Sequence, residues 1–379
     1  MKSDILKTLQ QTAEENILDL ENLKAQGGHA VGFYCIYAPT ELAVAAGAVP
    51  LTLCGTRHDP IDAAEEVLPR NLCPLIKSSY GFAATDTCPF FRFSDLIVAD
   101  TTCDGKKKMF EIMEEIKPVH LLQLPQQQGN PLLDRVWEQE VEDLKQRLEE
   151  LTGTPITPEK IRAAIELLNR ERRAKKELME LGRLLPSPIT GSELIEILFK
   201  VSFLADKEKG IELMQEISRE CKEIWDAGEG DVSPSAPRIL VSGVPMGLGS
   251  DKVVKILEQA GASVVAFENC TGYKQIFQVD ETREPIPALA EQYLTIPCSV
   301  MSPNPGRMDL ISEMTTLFSV DGVVDLTWQA CHTYNLESKA IQDLVTGKLN
   351  LPYLHIETDY SEADSEQLRV RIEAFLEMI

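Results

Sequence analysis

The chain has 379 residues and a formal net charge of −23. This length allows two or more domains with buried cores, and an apolar fraction of 44% excludes a disordered chain. An acidic protein repels nucleic acid and anionic lipid, so we expect it to bind neither. A partner protein with a basic docking face would complement its charge.

The amino-terminal segment predicts a polar helix over residues 1–25 that ends at Gly27 and Gly28. The helix contains acidic residues and lacks the unbroken apolar run of a signal peptide. No segment reaches the ~18 consecutive apolar residues of a membrane span. We therefore expect a cytoplasmic protein whose cysteines are reduced or bound to metal, because disulfides are rare in that compartment.

Short apolar segments alternate with helical segments in the first third of the chain, which is typical of βαβ units and predicts a parallel sheet. The predicted strands are HAVGFYC (29–35), VPLTLC (49–54), SDLIVAD (94–100) and VHLLQLP (119–125). The helices between them are predicted from PTELAVAAG (39–47), CPLIKSSYG (73–81) and CDGKKKMFEIMEEI (103–116).

The rest of the chain predicts a helical segment and then a second half with the same outline. Residues 131–230 are rich in Glu, Lys, Arg and Leu at helical spacing, and they form either solvated linking helices or a surface for a partner subunit. The second set of predicted strands is PRILVSG (237–243), ASVVAFENC (262–270), DGVVDLTWQAC (321–331) and LPYLHIETD (351–359). We predict an α/β fold with two Rossmann- or flavodoxin-like parallel-sheet domains, at 1–130 and 231–379, and a helical insert at 131–230.

Seven of the nine cysteines fall at predicted strand ends, helix starts or the loops between them. They are Cys35, Cys54, Cys73, Cys103, Cys270, Cys298 and Cys331. Strand-to-helix junctions of a parallel sheet open on one edge, where ligands bind, so thiols gathered there indicate a metal cluster. Cys88 lies beyond the helix that begins at Cys73, so it should be carried away from this edge. Cys221 lies in a helical stretch, where we expect it to pack in the protein interior.

The cysteine spacing bears on the kind of metal site. Cys73 and Cys103 each open a helix, where free N–H groups and the helix dipole favour a thiolate. Cys331 comes from the second half. Because no pair is spaced as CxxC, a zinc ribbon or a ferredoxin-type motif is absent, and a site assembled between the halves is expected.

Some other residues are candidates for proton chemistry. His332 directly follows Cys331. It could donate a proton to a bound substrate, donate a hydrogen bond to a cluster sulfide, or have a structural role only. Glu41, in the first turn after Cys35, is a candidate acid or base or only a favourable helix-start charge. Glu268 and Glu357 are candidates of the same kind.

Two further segments carry weaker signals. The segment VPMGLGSDK (244–252) follows a strand but is not GxGxxG, so it predicts a tight turn rather than a phosphate loop. The three lysines of GKKK (105–108) lie beside Cys103 and face an acidic group, a partner or solvent.

The cysteine-containing segments resemble the 2-hydroxyacyl-CoA dehydratase and benzoyl-CoA reductase family. They are YCIYAPTELAVAAGAVP (34–50), LPRNLCPLIKSSYG (68–81), DLIVADTTCDGKKKMFE (95–111), ENCTGYK (268–274) and DGVVDLTWQACHTYNLES (321–338). The resemblance implies one [4Fe–4S] cluster per subunit, held by the cysteines that correspond to Cys73, Cys103 and Cys331. It also implies an ATP-hydrolysing iron–sulfur activator that delivers a low-potential electron.

The chain departs from the dehydratase pattern by its additional cysteines Cys35, Cys270 and Cys298. In this it is similar to the double-cubane cluster proteins, whose homodimers hold two cubanes joined by a bridging sulfide through six cysteines of one chain. For the sixth ligand we choose Cys35, because it ends a strand that lies centrally in such sheets, with Cys54 and Cys88 as rivals.

The resemblance implies an iron–sulfur oxidoreductase that accepts low-potential electrons from an ATP-dependent reductase and reduces a small molecule, with His332 and Glu41 as candidate proton donors. This function predicts a small, closed cavity. The alternative is a 2-hydroxyacyl-CoA dehydratase subunit, a lyase with a single [4Fe–4S] cluster, a CoA-sized tunnel and an unlike partner subunit. An electron-storage, scaffold or zinc-binding protein is the non-catalytic alternative.

Overall fold

The computed structural model of the chain describes residues 2–230 and 232–379. Met1 of the predicted amino-terminal helix and Asp231 of the predicted linker lie outside the described residues. The protein is an α/β protein with two four-stranded sheets in which all strand pairs are parallel, and this confirms the predicted fold class.

The first sheet has the strand order β2-β1-β3-β4. Its strands are β1 (Ala30–Tyr34), β2 (Val49–Leu53), β3 (Leu96–Asp100) and β4 (Val119–Leu122). All five residues of β1 and all five of β3 are buried, which is usual for central strands covered on both faces. Because β1 pairs with β3, the residues that follow these two strands emerge side by side.

The second sheet repeats this topology in the order β6-β5-β7-β8. Its strands are β5 (Arg238–Gly243), β6 (Ser263–Phe267), β7 (Gly322–Trp328) and β8 (Tyr353–Thr358). The strands β5, β6 and β7 are buried throughout. The two halves therefore place their first strand centrally and their third strand beside it.

Fifteen α-helices surround the sheets in the part of the chain that the structure describes. In the first half they are α1 (Lys2–Ala25), α2 (Glu41–Ala45), α3 (Ile61–Ala64), α4 (Pro74–Ala84), α5 (Pro89–Phe93) and α6 (Asp104–Met113). The middle of the chain forms α7 (Pro131–Thr152), α8 (Pro158–Met179), α9 (Gly191–Ser202) and α10 (Lys207–Asp226). The second half contains α11 (Lys252–Gln259), α12 (Pro285–Leu294), α13 (Pro305–Leu317), α14 (His332–Gln342) and α15 (Ser365–Leu376).

Local capping explains where the helices α7 to α10 begin. The side chain of each N-cap residue accepts a hydrogen bond from a first-turn N–H group, which satisfies one of the donors that a helix start leaves unpaired. The caps are Asn130, Thr157, Thr190 and Asp206. The helix α8 packs on α10 and on α2, and α7 packs on α12, so this segment contacts both halves. The limits of the three domains stay a prediction.

The loops at the carboxyl ends of the two sheets meet each other. The Tyr37 hydroxyl donates to the carbonyl of Ile296 at 2.8 Å, and the Tyr360 hydroxyl donates to the carbonyl of Gly55 at 2.9 Å. The cysteine-bearing edges of both sheets therefore face a common interior. None of the described helices is long and apolar enough to cross a lipid bilayer.

Candidate metal centre between the two sheets

Three of the predicted ligands occupy the same local position, the N-cap of a helix. Cys73 precedes α4, Cys103 precedes α6 and Cys331 precedes α14; we call them the helix-cap cysteines. Their side chains lie within electrostatic range of one another. Burial raises the pKa of Cys73 to about 12, and the nearby Cys331 and Cys103 add to this shift. Burial and Cys103 likewise raise the pKa of Cys331 to about 11.

The other three predicted ligands lie in loops, and we call Cys35, Cys270 and Cys298 the loop cysteines. Cys270 lowers the pKa of the neighbouring Cys298, and Cys298 raises that of Cys270. Burial and the nearby Asp100 raise the pKa of Cys35, and Cys298 contributes to the same shift. The backbone at Cys35 has a φ of 72°, a left-handed conformation that is costly for a residue other than glycine.

The two groups of cysteines approach each other. Cys298 contributes to the raised pKa of Cys331, so a member of each group lies within electrostatic range of the other. The residue before Cys331, Ala330, also has a left-handed backbone, with a φ of 61°. Strain of this kind persists where the surrounding fold fixes a functional geometry. Here it occurs at Cys35 in the loop group and at Ala330, directly before Cys331 of the helix-cap group.

No group of three or more His, Cys, Asp or Glu residues within 2–230 and 232–379 is arranged to hold a metal ion. The thiolates of a polynuclear cluster bind different metal atoms, and they therefore lie farther apart than the ligands of a single ion. Within each of the two groups, the cysteines affect one another's pKa values.

A cavity of about 210 Å³ adjoins the loop cysteines. Cys35 and Cys270 line it, and so does Cys54, whereas none of the helix-cap cysteines does. Both halves and the helical segment contribute to the rest of its wall, and in the helical segment Phe199 and Phe203 supply apolar surface. The cavity thus connects one of the two cysteine groups with the helices α8, α9 and α10.

Asp100 is a buried acidic residue that the sequence reasoning did not single out. It ends β3, accepts a hydrogen bond from the Tyr37 N–H at 3.3 Å through Oδ2, and its Oδ1 has no hydrogen-bond partner among the described residues. Burial raises its pKa to about 6, and the nearby Lys106 opposes that shift. The signal was present in the sequence, because an acidic residue ends a buried strand three positions before Cys103.

The GKKK segment divides between the cavity and solvent. Lys106 lines the cavity, while Lys108 pairs with Glu111 on the exposed face of α6. Burial lowers the pKa of Lys106, but Cys35 and Asp100 outweigh burial and raise that pKa well above its ordinary value. One of the three lysines therefore faces the acidic and thiol groups of the site.

Tyr334 links the loop cysteines to a buried cluster of charges. Its hydroxyl lies 3.9 Å from the sulfur of Cys270 and 3.9 Å from that of Cys298. The guanidinium of Arg307 lies 4.8 Å from the centre of the Tyr334 ring, and the ammonium of Lys274 lies 5.7 Å from it. Such cation–π contacts hold the ring, and thus the hydroxyl, in place.

Glu268, a predicted acid or base, belongs to this cluster. It pairs with Lys274 at 2.7 Å and with Arg307 at 3.1 Å, and all three side chains are fully buried. Burial raises the pKa of Glu268, but the two cations outweigh it and hold the pKa below its ordinary value. The structure therefore places Glu268 as an ionised anchor behind Tyr334.

The two candidate proton donors differ in their burial and in their partners. Glu41 is fully buried and accepts hydrogen bonds from Arg172 at 2.7 Å and from the Tyr293 hydroxyl at 2.8 Å, which ties α2 to α8 and α12. His332 begins α14 with an exposed side chain. Glu357 is exposed as well and accepts a hydrogen bond from Asn335 at 3.0 Å.

Three cysteines and the glycine-rich segment lie outside the two groups of proposed ligands. Cys54 contributes to the raised pKa of Tyr34, and Cys88, the N-cap of α5, does the same. Cys221 is fully buried in α10, where packing is expected. A Cβ atom on Gly247 would lie 2.6 Å from the Phe199 ring, so the glycine-rich segment makes a close contact between the second half and α9.

Comparison with known proteins identifies the family. Residues 35–379 match the sequence model of the 2-hydroxyglutaryl-CoA dehydratase D-component. The chain belongs to the 2-hydroxyacyl-CoA dehydratase family. This confirms the resemblance drawn from the cysteine-containing segments.

Similar proteins extend along nearly the whole chain. The putative dehydratase subunit YjiM of Escherichia coli K12 is 45% identical over 376 residues, which covers 99% of this chain and 98% of that protein. The beta subunit of (R)-phenyllactyl-CoA dehydratase from Clostridium sporogenes is 24% identical, with 95% and 94% covered. The beta subunit of (R)-2-hydroxyglutaryl-CoA dehydratase from Acidaminococcus fermentans is 24% identical, with 100% and 99% covered. The dehydratase family supports an enzymatic role for the chain.

Proposed function

We propose that this chain is an iron–sulfur reductase of the dehydratase family that holds a double-cubane cluster between its two sheets. The observation that carries the proposal is the arrangement of six cysteines of one chain in two neighbouring groups of three. The helix-cap cysteines would hold one cube and the loop cysteines the other. Cys298 and Cys331 lie within electrostatic range of each other, so the two cubes would be neighbours.

The residues present fit a double-cubane cluster. All six proposed donors are thiols, the soft ligands that iron–sulfur clusters require. Burial disfavours the charged form of a thiol, as the raised pKa of Cys73 and of Cys331 indicates, so bound iron would compensate charges that the folded chain otherwise avoids. When bound, the cluster supplies electrons at low potential.

The chain's own residues cover the site and hold protons beside it. Cys73 and Cys298 are 7% and 5% exposed, so one thiol of each group is shielded from water. His332 and Glu41 stay candidate proton donors. Asp100 is a third candidate and a better-placed one, because its unpartnered Oδ1 lies in the interior beside Cys35, whereas His332 is exposed and Glu41 is held in an ion pair.

The proposed electron source is an ATP-dependent iron–sulfur reductase that docks on a homodimer of this chain. The helix-cap side suits electron entry because none of its cysteines lines the cavity. The net charge of −23 fits a partner with a basic docking face.

The alternative proposal is a 2-hydroxyacyl-CoA dehydratase subunit with one [4Fe–4S] cluster on the helix-cap cysteines, working beside an unlike subunit. The names of the beta subunits from Clostridium sporogenes and Acidaminococcus fermentans favour it. The cavity volume favours the reductase, because about 210 Å³ lies below the ~300–1,000 Å³ of pockets that enclose drug-sized ligands.

An anaerobic activity assay separates the two. The purified chain is supplied with reductant and its ATP-dependent reductase, then offered either small unsaturated molecules or an (R)-2-hydroxyacyl-CoA. The proposal expects electron-dependent reduction of the small molecules by the chain without an unlike subunit. Dehydration of the thioester, appearing only when a second subunit is added, would establish the alternative instead.

A further inference from the structure

The charge of the cavity is opposite to that of the protein. Five cationic side chains and one acidic side chain line it, although the whole chain has a net charge of −23. The cations are Lys106, Arg172, Lys175, Lys207 and Lys274, and the acid is Glu171. A low-dielectric cleft lined by one sign of charge concentrates ligands of the opposite sign.

Three of these cations are neutralised by buried acids. The partners are Glu41 for Arg172, Glu268 for Lys274 and Glu171 for Lys175, at 2.7, 2.7 and 3.4 Å. Lys106 has no such ion pair, but it faces Cys35, Cys54 and Asp100, whose charges raise its pKa. Its counter-charge therefore belongs to the cysteine end of the cavity.

Lys207 is the cation that remains without a partner of its own. It begins α10, lines the cavity and makes no hydrogen bond or ion pair within the described part of the chain. Burial lowers its pKa and Lys175 lowers it further, while Glu171 opposes the shift. This end of the cavity, formed by α8 and α10, thus holds two ammonium groups and one carboxylate.

We propose that Lys207 and Lys175 bind the anionic group of the substrate, so that the molecule acted on at the cysteine end carries a carboxylate or a phosphate. The inference rests on the proposed function, because it assigns a substrate class to the same cavity. An anion here would supply the counter-charge that Lys207 lacks, and the partly buried ammonium would gain a charge-assisted hydrogen bond. The apolar rings of Phe199 and Phe203 would pack against the body of the molecule.

The test measures binding to the iron-loaded protein by anaerobic calorimetry with three small probes that share a four-carbon unsaturated chain. Crotonate carries a carboxylate, but-2-enyl phosphate carries a phosphate, and crotonamide is the neutral counterpart. We expect a charged probe to bind about ten-fold or more tightly than crotonamide, the usual gain from a hydrogen bond to a charged group. Lys207→Met should abolish that difference and leave binding of crotonamide unchanged.

Lys209→Met is the matched control, because Lys209 lies on the same helix but pairs with Glu15 at the surface. It should leave all three affinities unchanged. Weaker binding of crotonate to Lys207→Met identifies a carboxylate, and weaker binding of but-2-enyl phosphate alone identifies a phosphate. Equal affinity of the charged and neutral probes, no binding of any probe, or an unchanged affinity in Lys207→Met overturns the inference. The iron content of Lys207→Met is measured in the same samples. If it is unchanged while an overturning result is found, the inference fails and the proposed function does not.

Discussion

The helix-cap cysteines and the loop cysteines differ in how the fold positions them. Each helix-cap cysteine is placed by the start of a helix, a local feature that needs no buried charge beside it. The loop cysteines depend on a left-handed residue at Cys35 and on a tyrosine held by buried ions. Of the two groups, only the loop group contributes to the cavity wall, through Cys35 and Cys270. Under the proposed function we therefore expect electrons to enter at the helix caps and the substrate to bind beside the loops.

The largest expected effect is on iron content. Cys103→Ala should lower the iron content to about four per chain, because the helix-cap group would keep only two ligands for its cube while the loop group keeps three. Cys270→Ala should likewise retain about four irons, since the helix-cap group still offers the three thiolates of one cube. Iron and sulfide analysis of both single variants and of the double variant, purified anaerobically, checks this, and the double variant should contain little iron. Loss of all iron in either single variant would show that the groups are not separate.

The charged support of the loop group predicts a large loss of stability. Arg307→Met would leave the buried Glu268 with one cation fewer and remove an ion pair to Glu337. Breaking a buried ion pair costs about 3–5 kcal/mol. Denaturant unfolding of the variant and of wild type measures the difference. A surface control, Arg92→Met, breaks an exposed pair with Asp86 and should cost at most about 1 kcal/mol.

A loss below about 1 kcal/mol in Arg307→Met would contradict the role assigned to the charged cluster, since it would equal the effect of an exposed pair. The loop cysteines would then be held by their backbone alone.

A smaller effect is expected on the reduction potential. Tyr334→Phe removes a hydroxyl that lies 3.9 Å from two sulfurs, and hydrogen bonds to cluster sulfurs raise the potential. The variant should therefore have a lower potential in an anaerobic redox titration followed by electron paramagnetic resonance. Thr333→Val is the matched change in the other group, because its hydroxyl lies 4.0 Å from Cys331 alone. A shift in Thr333→Val as large as that in Tyr334→Phe would remove the proposed difference between the groups.

The fold was predictable from the sequence where the signals are local. Alternating apolar segments gave both parallel sheets, and the prolines or acids that follow Cys73 and Cys103 marked two helix starts. The central position of β1 follows from the topology of such sheets and is confirmed by its pairing with β2 and β3.

The rest of the site depends on contacts between distant parts of the chain. Glu41 was correctly expected near the start of α2, but its partner Arg172 lies 131 positions later, and that ion pair decides its surroundings. Tyr334 meets Cys270 across 64 positions, and no local pattern marks such a contact. His332 follows a predicted ligand, yet the first turn of α14 exposes it.

The most direct test of the central claim is the iron and acid-labile sulfide content per chain of protein purified without oxygen. Two cysteine groups that hold one double cubane predict about eight irons and about nine sulfides. About four of each would contradict the claim and leave the loop cysteines without metal, as the dehydratase alternative expects. Protein kept strictly anaerobic that contains neither iron nor sulfide would contradict both.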